Sequence, residues 1–205
     1  MTSARDFNFD ASTIDRVFRR IDPEIWLVTA AAGSRRGGLV ATWAMQASID
    51  PEDPLAMIGL ASNHFTAELV RAGGSFGLHL LRADQTELAL KFAIGTGRIA
   101  DKLVGIDQHT VASGAPILAD CLAWLDCRVL DCHDAGDRLF FLAEVMAGNS
   151  LSDVPALTES KLIESATSDQ LAALRTGREA DLAIQRPLRA AWRKSTAARR
   201  AADST

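Results

Sequence analysis

No apolar run in the chain approaches the roughly 20 residues that span a bilayer, and the opening segment MTSARDFNFDAS lacks the charged-then-apolar layout of a signal peptide. These absences predict a soluble, cytoplasmic chain with no membrane partner. Cysteine is scarce: Cys121, Cys127 and Cys132 are all there is, with no CxxC and no histidine pair at zinc spacing. Neither a disulfide framework nor a metal site is indicated. Cys121 and Cys127 share parity and Cys132 has the opposite, as expected of small apolar residues on the two faces of a strand. A nucleophile elbow, a P-loop and a GxGxxG fingerprint are missing too. The histidines, His64, His79, His109 and His133, join no serine or cysteine in a local signature. His79 sits in an apolar strand pattern and reads as a packed histidine; His64 and His133 fall in loops, where structural and functional roles are both open.

What is present suits a globular fold. Hydrophobic residues make up 48% and charged residues 23% of 205 positions, close to soluble averages. A chain of this size fits one domain, or one domain with a terminal extension, and buries roughly 70% of its unfolded surface. The formal net charge of -4 hides an asymmetry, because Arg186, Arg189, Arg193, Lys194, Arg199 and Arg200 crowd the end. A basic tail can bind nucleic acid, but only Trp192 offers an aromatic platform and no recognition motif accompanies it. A solvated helix end or a subunit contact accounts for these charges, and no nucleic-acid partner is expected.

Ile14, Val17, Phe18 and Ile21 recur at helical spacing after Asp10 and Ser12, predicting a short helix that closes one end of a barrel. Strands follow at 25–31 and 39–49, joined by a Gly33–Gly38 hairpin turn, and at 55–61. Ser62 and Asn63 stand where an N-cap belongs before a helix at 65–71, which Gly73 and Gly74 end. Another strand spans 75–81, and Asp84 with Glu87 forms a capping-box-like pair opening a helix through Phe92. Residues 95–114 read as irregular, and strands at 122–132 and 138–147 flank the turn formers His133–Asp137. Antiparallel strands with inserted helices argue for a small Greek-key barrel over a βαβ sheet. The expectation is a mainly β split-barrel domain over residues 1–160. A helical extension over 161–205 follows, broken near Pro187 and disordered after Lys194.

Two segments carry chemistry. In Gly37–Pro51, strand periodicity puts Ala41, Trp43, Met45 and Ala47 on one face and Thr42, Gln46 and Ser48 on the other. An edge strand with a solvated polar face would show the same alternation. In Ser62–Thr66, hydroxyls meet free backbone N–H groups at a helix start, where an anion gains about 0.3–1 kcal/mol. Together they suggest a cofactor with a phosphate tail and a flat, hydrogen-bonding body.

The chain resembles the flavin reductase-like, FMN-binding split-barrel family. The resemblance runs from Val17 to Ala147 through GLVATWAMQASIDP, SNHFTAELVRAGGSFGLHLL, KFA at Lys91–Ala93, DKL at Asp101–Leu103, GAPIL at Gly114–Leu118 and AWLDCRVLDCHDAGDRLFFLAEV. It implies a six-stranded antiparallel barrel working as a homodimer with FMN near the subunit interface. Val40, Ala41, Thr42 and Trp43 would line the isoalloxazine, and Gly59, Leu60, Ala61, Ser62, Asn63 and Thr66 would hold ribityl and phosphate. Phe92, Ala93 and Lys102 would close the site, and Arg138 would meet a dinucleotide phosphate. No residue is expected to act as a catalytic acid or base, because hydride transfer from NAD(P)H to FMN is performed by the cofactors. The implied activity is an NAD(P)H:flavin oxidoreductase serving a partner oxygenase or electron carrier; the alternative is a non-catalytic FMN electron-transfer protein. Trp43-Ala44-Met45-Gln46 is closer to flavoredoxin-like proteins and to reductase domains of diflavin proteins. Gly136-Asp137-Arg138 stands where a Gly-Asp-His run is usual.

Overall fold

The computed structural model describes residues 10–150 and 153–202. In chain order the elements are α1 (Ala11–Phe18), β1 (Trp26–Ala32), β2 (Arg35–Ala41), β3 (Ala44–Gln46), β4 (Leu55–Ala61), α2 (Phe65–Gly73) and β5 (Ser75–Leu80). They continue as α3 (Thr86–Ala93), β6 (Gln108–His109), β7 (Ile117–Leu118), β8 (Ala123–Asp134), β9 (Arg138–Ser150), α4 (Glu159–Ser165) and α5 (Ser168–Ala202). The main sheet has seven strands in the order β2-β1-β5-β8-β9-β4-β3, and β6 pairs with β7 apart from it. Every pairing is antiparallel.

Six strands were expected and seven form, because the segment predicted as one strand at 39–49 is cut at Thr42–Trp43. Its first half pairs with β1 and its second half with β4. The two halves lie at opposite ends of the sheet order, yet only two residues join them, a reach of roughly 11 Å at full extension. A flat seven-stranded sheet could not be closed by such a link, so the sheet curls until its edges meet, as a barrel does. The turn between β1 and β2 is also shorter than expected: Arg35 to Gly38 already belong to β2, and only Gly33, with φ of 59°, takes a left-handed conformation there.

β1 lies between β2 and β5, and successive side chains on it are buried on opposite faces. Leu27 and Val28 are both fully buried, yet they enter different clusters. Val28 packs with Ile58, Leu69, Phe76 and Phe141 under α2, while Leu27 packs with Leu90, Phe92, Leu103 and Leu162 under α3 and α4. Each such side chain contributes about 1.5–3 kcal/mol by leaving water. His79 on β5 is a packed histidine: Nδ1–H donates to the Leu27 carbonyl at 2.9 Å, and Nε2 accepts from the Leu118 N–H at 3.0 Å. Burial pushes its pKa down to about 4. Asp126, fully buried, accepts from the N–H groups of Ala112 and Ser113 at 2.8 Å and from the Ser113 hydroxyl, which pins the loop ahead of β7.

The helix starts differ from expectation. Asp10 caps α1 through Ser12, but α1 buries no residue, and Ile14, Val17, Phe18 and Ile21 are 45–69% exposed. It therefore closes no barrel end within this chain. The N-cap of α2 is His64, without a side-chain cap bond, because Ser62 and Asn63 bond elsewhere. The N-cap of α3 is Gln85 rather than Asp84; its amide oxygen accepts from the Arg82 N–H at 2.9 Å. The boundary drawn at residue 160 falls inside α4, whose Leu162 belongs to the core. α5 is one helix of 35 residues that runs through Pro187 and past Lys194 to Ala202. The expected break does not occur, and the tail expected to be disordered continues as helix to Ala202, with residues 203–205 outside the described residues. Cys121 and Cys127 are buried and Cys132 half-buried; burial raises the first two thiols to about 11 and 12, which keeps them protonated.

Candidate functional site

The link that cuts the predicted strand also builds a surface. Trp43 leaves the ladder, its carbonyl accepts from the Gly59 N–H at 2.8 Å, and its indole lies against β4 and β9. A Cβ on Gly59 would come within 3.0 Å of Trp43 Cε3 and 3.1 Å of Phe140 Cε1, so a bare backbone is what lets two aromatic rings settle there. Trp43 and Phe140 are parallel within 4°, with centroids 6.2 Å apart. Arg138, opposite Ala61 in the β4–β9 register, places its guanidinium carbon 5.1 Å from the Trp43 ring centroid. That guanidinium donates to the Asp137 carbonyl at 3.1 Å and, among the described residues, forms no ion pair. Burial lowers its pKa, with Asp137 and Asp181 opposing the shift. The N–H groups of Thr42 and Trp43 lie outside the ladders and donate to no backbone acceptor among the described residues.

A second group adjoins the first across the end of β4. The Ser62 hydroxyl donates to the Gly136 carbonyl at 2.9 Å, and the Ser62 N–H to the Asp137 carbonyl at 3.1 Å. Asn63 Nδ2 donates to Asp181 Oδ1 at 2.9 Å, and His64 Nε2 meets Asp181 Oδ2 at 2.8 Å. Gln185, one turn further along α5 and buried, donates to Asn63 Oδ1 at 3.3 Å. Thr66 is 3% exposed. The three residues expected to hold a phosphate thus come together, but two side chains there already have protein partners and Asn63 faces a carboxylate.

The remaining sequence-predicted residues form a third group. Val40 on β2 packs against the cluster that contains Phe92, which is 1% exposed. Ala93 ends α3. Lys102 Nζ donates to the carbonyls of Phe92 at 2.9 Å and Gly95 at 2.8 Å, closing the C-terminus of α3. Burial pushes its pKa down to about 8. Leu60 and Ala61 are buried in β4, and Ala41 ends β2 opposite Trp26. An open cavity of about 400 Å³, lined by Arg35, Arg36, Phe65 and Arg98, adjoins Asn63, whose carbonyl accepts from Arg98. Two of its cations are paired, Arg36 with Asp101 at 2.8 Å and Arg98 with Glu68.

Sequence reasoning did not find Phe140, Gly136, Asp181 or Gln185. Phe140 was readable as an alternating strand residue, but its contact with Trp43 depends on the barrel seam. Asp181 lies 118 residues from Asn63 in a stretch with a thin apolar stripe, and carries no local signal.

The chain belongs to the flavin reductase like domain family, which matches residues 18–160. Among curated relatives, diflavin flavoprotein A 1 of Synechocystis sp. is 28% identical over 138 residues, which is 67% of this chain and 24% of that protein. The actinorhodin polyketide dimerase of Streptomyces coelicolor is 31% identical over 139 residues, 67% of this chain and 76% of the relative. The chain spans about a quarter of the length of the diflavin flavoproteins it matches. Among solved structures, the NADH:FAD oxidoreductase SgcE6 of Streptomyces globisporus superposes with a TM-score of 0.63 at 26% identity, covering 72% of this chain and 86% of that one. Nitrilotriacetate monooxygenase component B from Mycobacterium thermoresistibile gives 0.59 at 27%, covering 71% and 81%. No group of His, Cys, Asp and Glu able to hold a metal ion occurs among the described residues, and no helix there is long and apolar enough to cross a membrane.

Proposed function

We propose that the chain is an NAD(P)H:flavin oxidoreductase that binds FMN beside the Thr42–Trp43 link, works as a homodimer, and hands reduced flavin or electrons to an oxygenase or carrier. The observation that carries this reading is Arg138: a half-buried guanidinium above a stacked aromatic pair, without an ion-pair partner among the described residues. Such a cation fits an anionic ring or phosphate brought in by a ligand. The flavin, when bound, supplies hydride acceptance and electron release. The chain's own residues bind and orient it. Trp43 and Phe140 give a flat apolar surface with the spacing of aromatic stacking, and the N–H groups of Thr42 and Trp43, without a backbone acceptor among the described residues, offer donors for ring carbonyls. Arg138 stabilises negative charge as it builds, in a partly dry setting where such an interaction is stronger than in water.

The homodimer is supported by apolar surface that this chain leaves uncovered. Trp43 and Met45 are 53% and 64% exposed, beside the proposed ring site, and no residue of α1 is buried among the described residues. Surface of this kind marks an interface.

A second reading, an FMN electron-transfer protein without nucleotide turnover, is favoured by Arg138 standing where a nicotinamide-linked histidine is usual. Steady-state oxidation of NADH and NADPH with added FMN, alongside flavin titration and sedimentation, separates the two. Turnover with either nucleotide is expected; bound flavin with no turnover would favour the carrier. Absence of flavin binding would refute both.

A further inference from the structure

We infer that Asp181 sets the balance between phosphorylated and unphosphorylated flavin, by holding a carboxylate on Asn63 and His64, side-chain donors that a phosphate at this helix start could otherwise use. This rests on the flavin reading.

The carboxylate is not a loose side chain. Asp181, Gln185, Leu188, Arg189 and Trp192 recur along one face of α5. Gln185 bonds Asn63 Oδ1, which turns the Asn63 amide nitrogen toward Asp181. Arg189 donates to the Ala135 carbonyl at 3.0 Å and to Asp137 Oδ1 at 3.2 Å, and Trp192 Nε1 donates to the Asp134 carbonyl at 2.9 Å. Gly136 is part of the same fit: with φ of 89°, it takes the helix so closely that a Cβ would stand 2.6 Å from Trp192 Cβ and 2.9 Å from the Leu188 carbonyl oxygen. Successive turns of α5 are therefore clamped to the β8–β9 turn, and Asp181 is delivered to Asn63 and His64 by a rigid element.

Asn63 and His64 present side-chain donors to one negative group, and that group comes from the protein. A phosphate seated there meets a like charge within hydrogen-bonding range and must displace it from both donors. An uncharged ribityl hydroxyl meets no repulsion and can donate to the same carboxylate. Arg138, within electrostatic reach of Asp181, offsets part of the penalty but not the competition for donors.

The test is Asp181→Asn in the full chain, with FMN and riboflavin affinities measured by flavin fluorescence, and inorganic phosphate as a flavin-free probe by thermal shift. Asparagine keeps the size and an acceptor for Asn63 while removing the charge. Wild type is expected to bind FMN no more tightly than riboflavin. The variant is expected to favour FMN by about tenfold or more, consistent with loss of a like charge at short range, with riboflavin within about twofold of wild type. Phosphate is expected to stabilise the variant more than wild type. An unchanged FMN-to-riboflavin ratio, with phosphate acting alike on both proteins, overturns the proposal. If neither protein binds either flavin while phosphate still stabilises only the variant, the flavin reading falls and the competition at Asn63 and His64 stands.

Discussion

Protonating His79 must break the bond that holds β7 against β5. Its Nδ1–H is committed to Leu27 and its Nε2 lone pair to the Leu118 N–H, so the only place for a second proton is already occupied by an incoming donor. Burial adds the cost of placing a cation among apolar side chains, and the positive charge that His109 can carry acts in the same direction. With the folded pKa near 4 and an unfolded value of about 6.5, the unfolded chain binds more protons throughout that window. Stability is therefore full above pH 6.5 and declines as pH falls toward 4. The linkage relation gives about 2.5 kcal/mol lost from this group between pH 7 and 4.5. His79→Gln, which cannot titrate, provides the reference. It is expected to be less stable than wild type at pH 7 by about 1–3 kcal/mol, since the Leu27 carbonyl loses its donor, but to lose less on acidification. Urea unfolding at both pH values measures the difference of differences. Parallel declines for the two proteins would refute the assignment of a neutral, doubly bonded imidazole.

Arg138→Ala is expected to weaken flavin binding by about tenfold, roughly 1.4 kcal/mol, with circular dichroism unchanged; equal affinity would remove the cation from the site. Lys102→Met leaves the Phe92 and Gly95 carbonyls without their donor and is expected to cost about 2–4 kcal/mol in urea unfolding. If the same variant loses flavin affinity with no loss of stability, Lys102 belongs to the ligand site and not to the end of α3. Gly136→Ala combines an unfavourable left-handed alanine with the collision against Trp192, for about 1–3 kcal/mol. It is expected to expose α5 to trypsin at Arg186 and Arg193 while the barrel stays resistant; an unchanged digestion pattern would mean that α5 tolerates a larger residue beneath it.

The strand and helix inventory was largely legible because each element obeys a local period. β4 begins and ends where the apolar run placed it, at Leu55 and Ala61, and α2 and β5 follow the apolar spacing and the glycine stop at Gly74, whose φ of 69° suits a helix terminus. The seam at Thr42–Trp43 was not legible. Leu39, Ala41, Trp43, Met45 and Ala47 keep one parity straight across the seam, and a change of pairing partner alters neither side-chain parity nor composition. Only closure of the sheet decides that Ala41 faces β1 while Ala44 faces β4. The cap of α2 was missed for a related reason. Ser62 and Asn63 have the chemistry of N-caps, but Gly136 and Asp181 offer those side chains partners from distant parts of the chain, and a tertiary bond outweighed the local one.

The same logic explains why the candidate site was half visible. Thr42 and Trp43 stood out because their residue types are unusual for where the periodic pattern put them, Ser62 and Asn63 because they stand at a helix start, and Arg138 through the family resemblance alone. Phe140 did not, since an aromatic on a strand is ordinary; what makes it matter is that Gly59 lacks a side chain and Trp43 fills the space. Asp181 did not, since a charged residue in a polar helix is ordinary too. Its effect arises from register: four residues before Gln185 and eleven before Trp192, it falls on the one side of α5 that the β8–β9 turn can hold. A shift of one residue in α5 would rotate that carboxylate about 100° away from Asn63, leaving both donors to whatever anion enters. In the proposed competition, the C-terminal helix, which lies outside the family match, thus contributes both the carboxylate and the register that aims it.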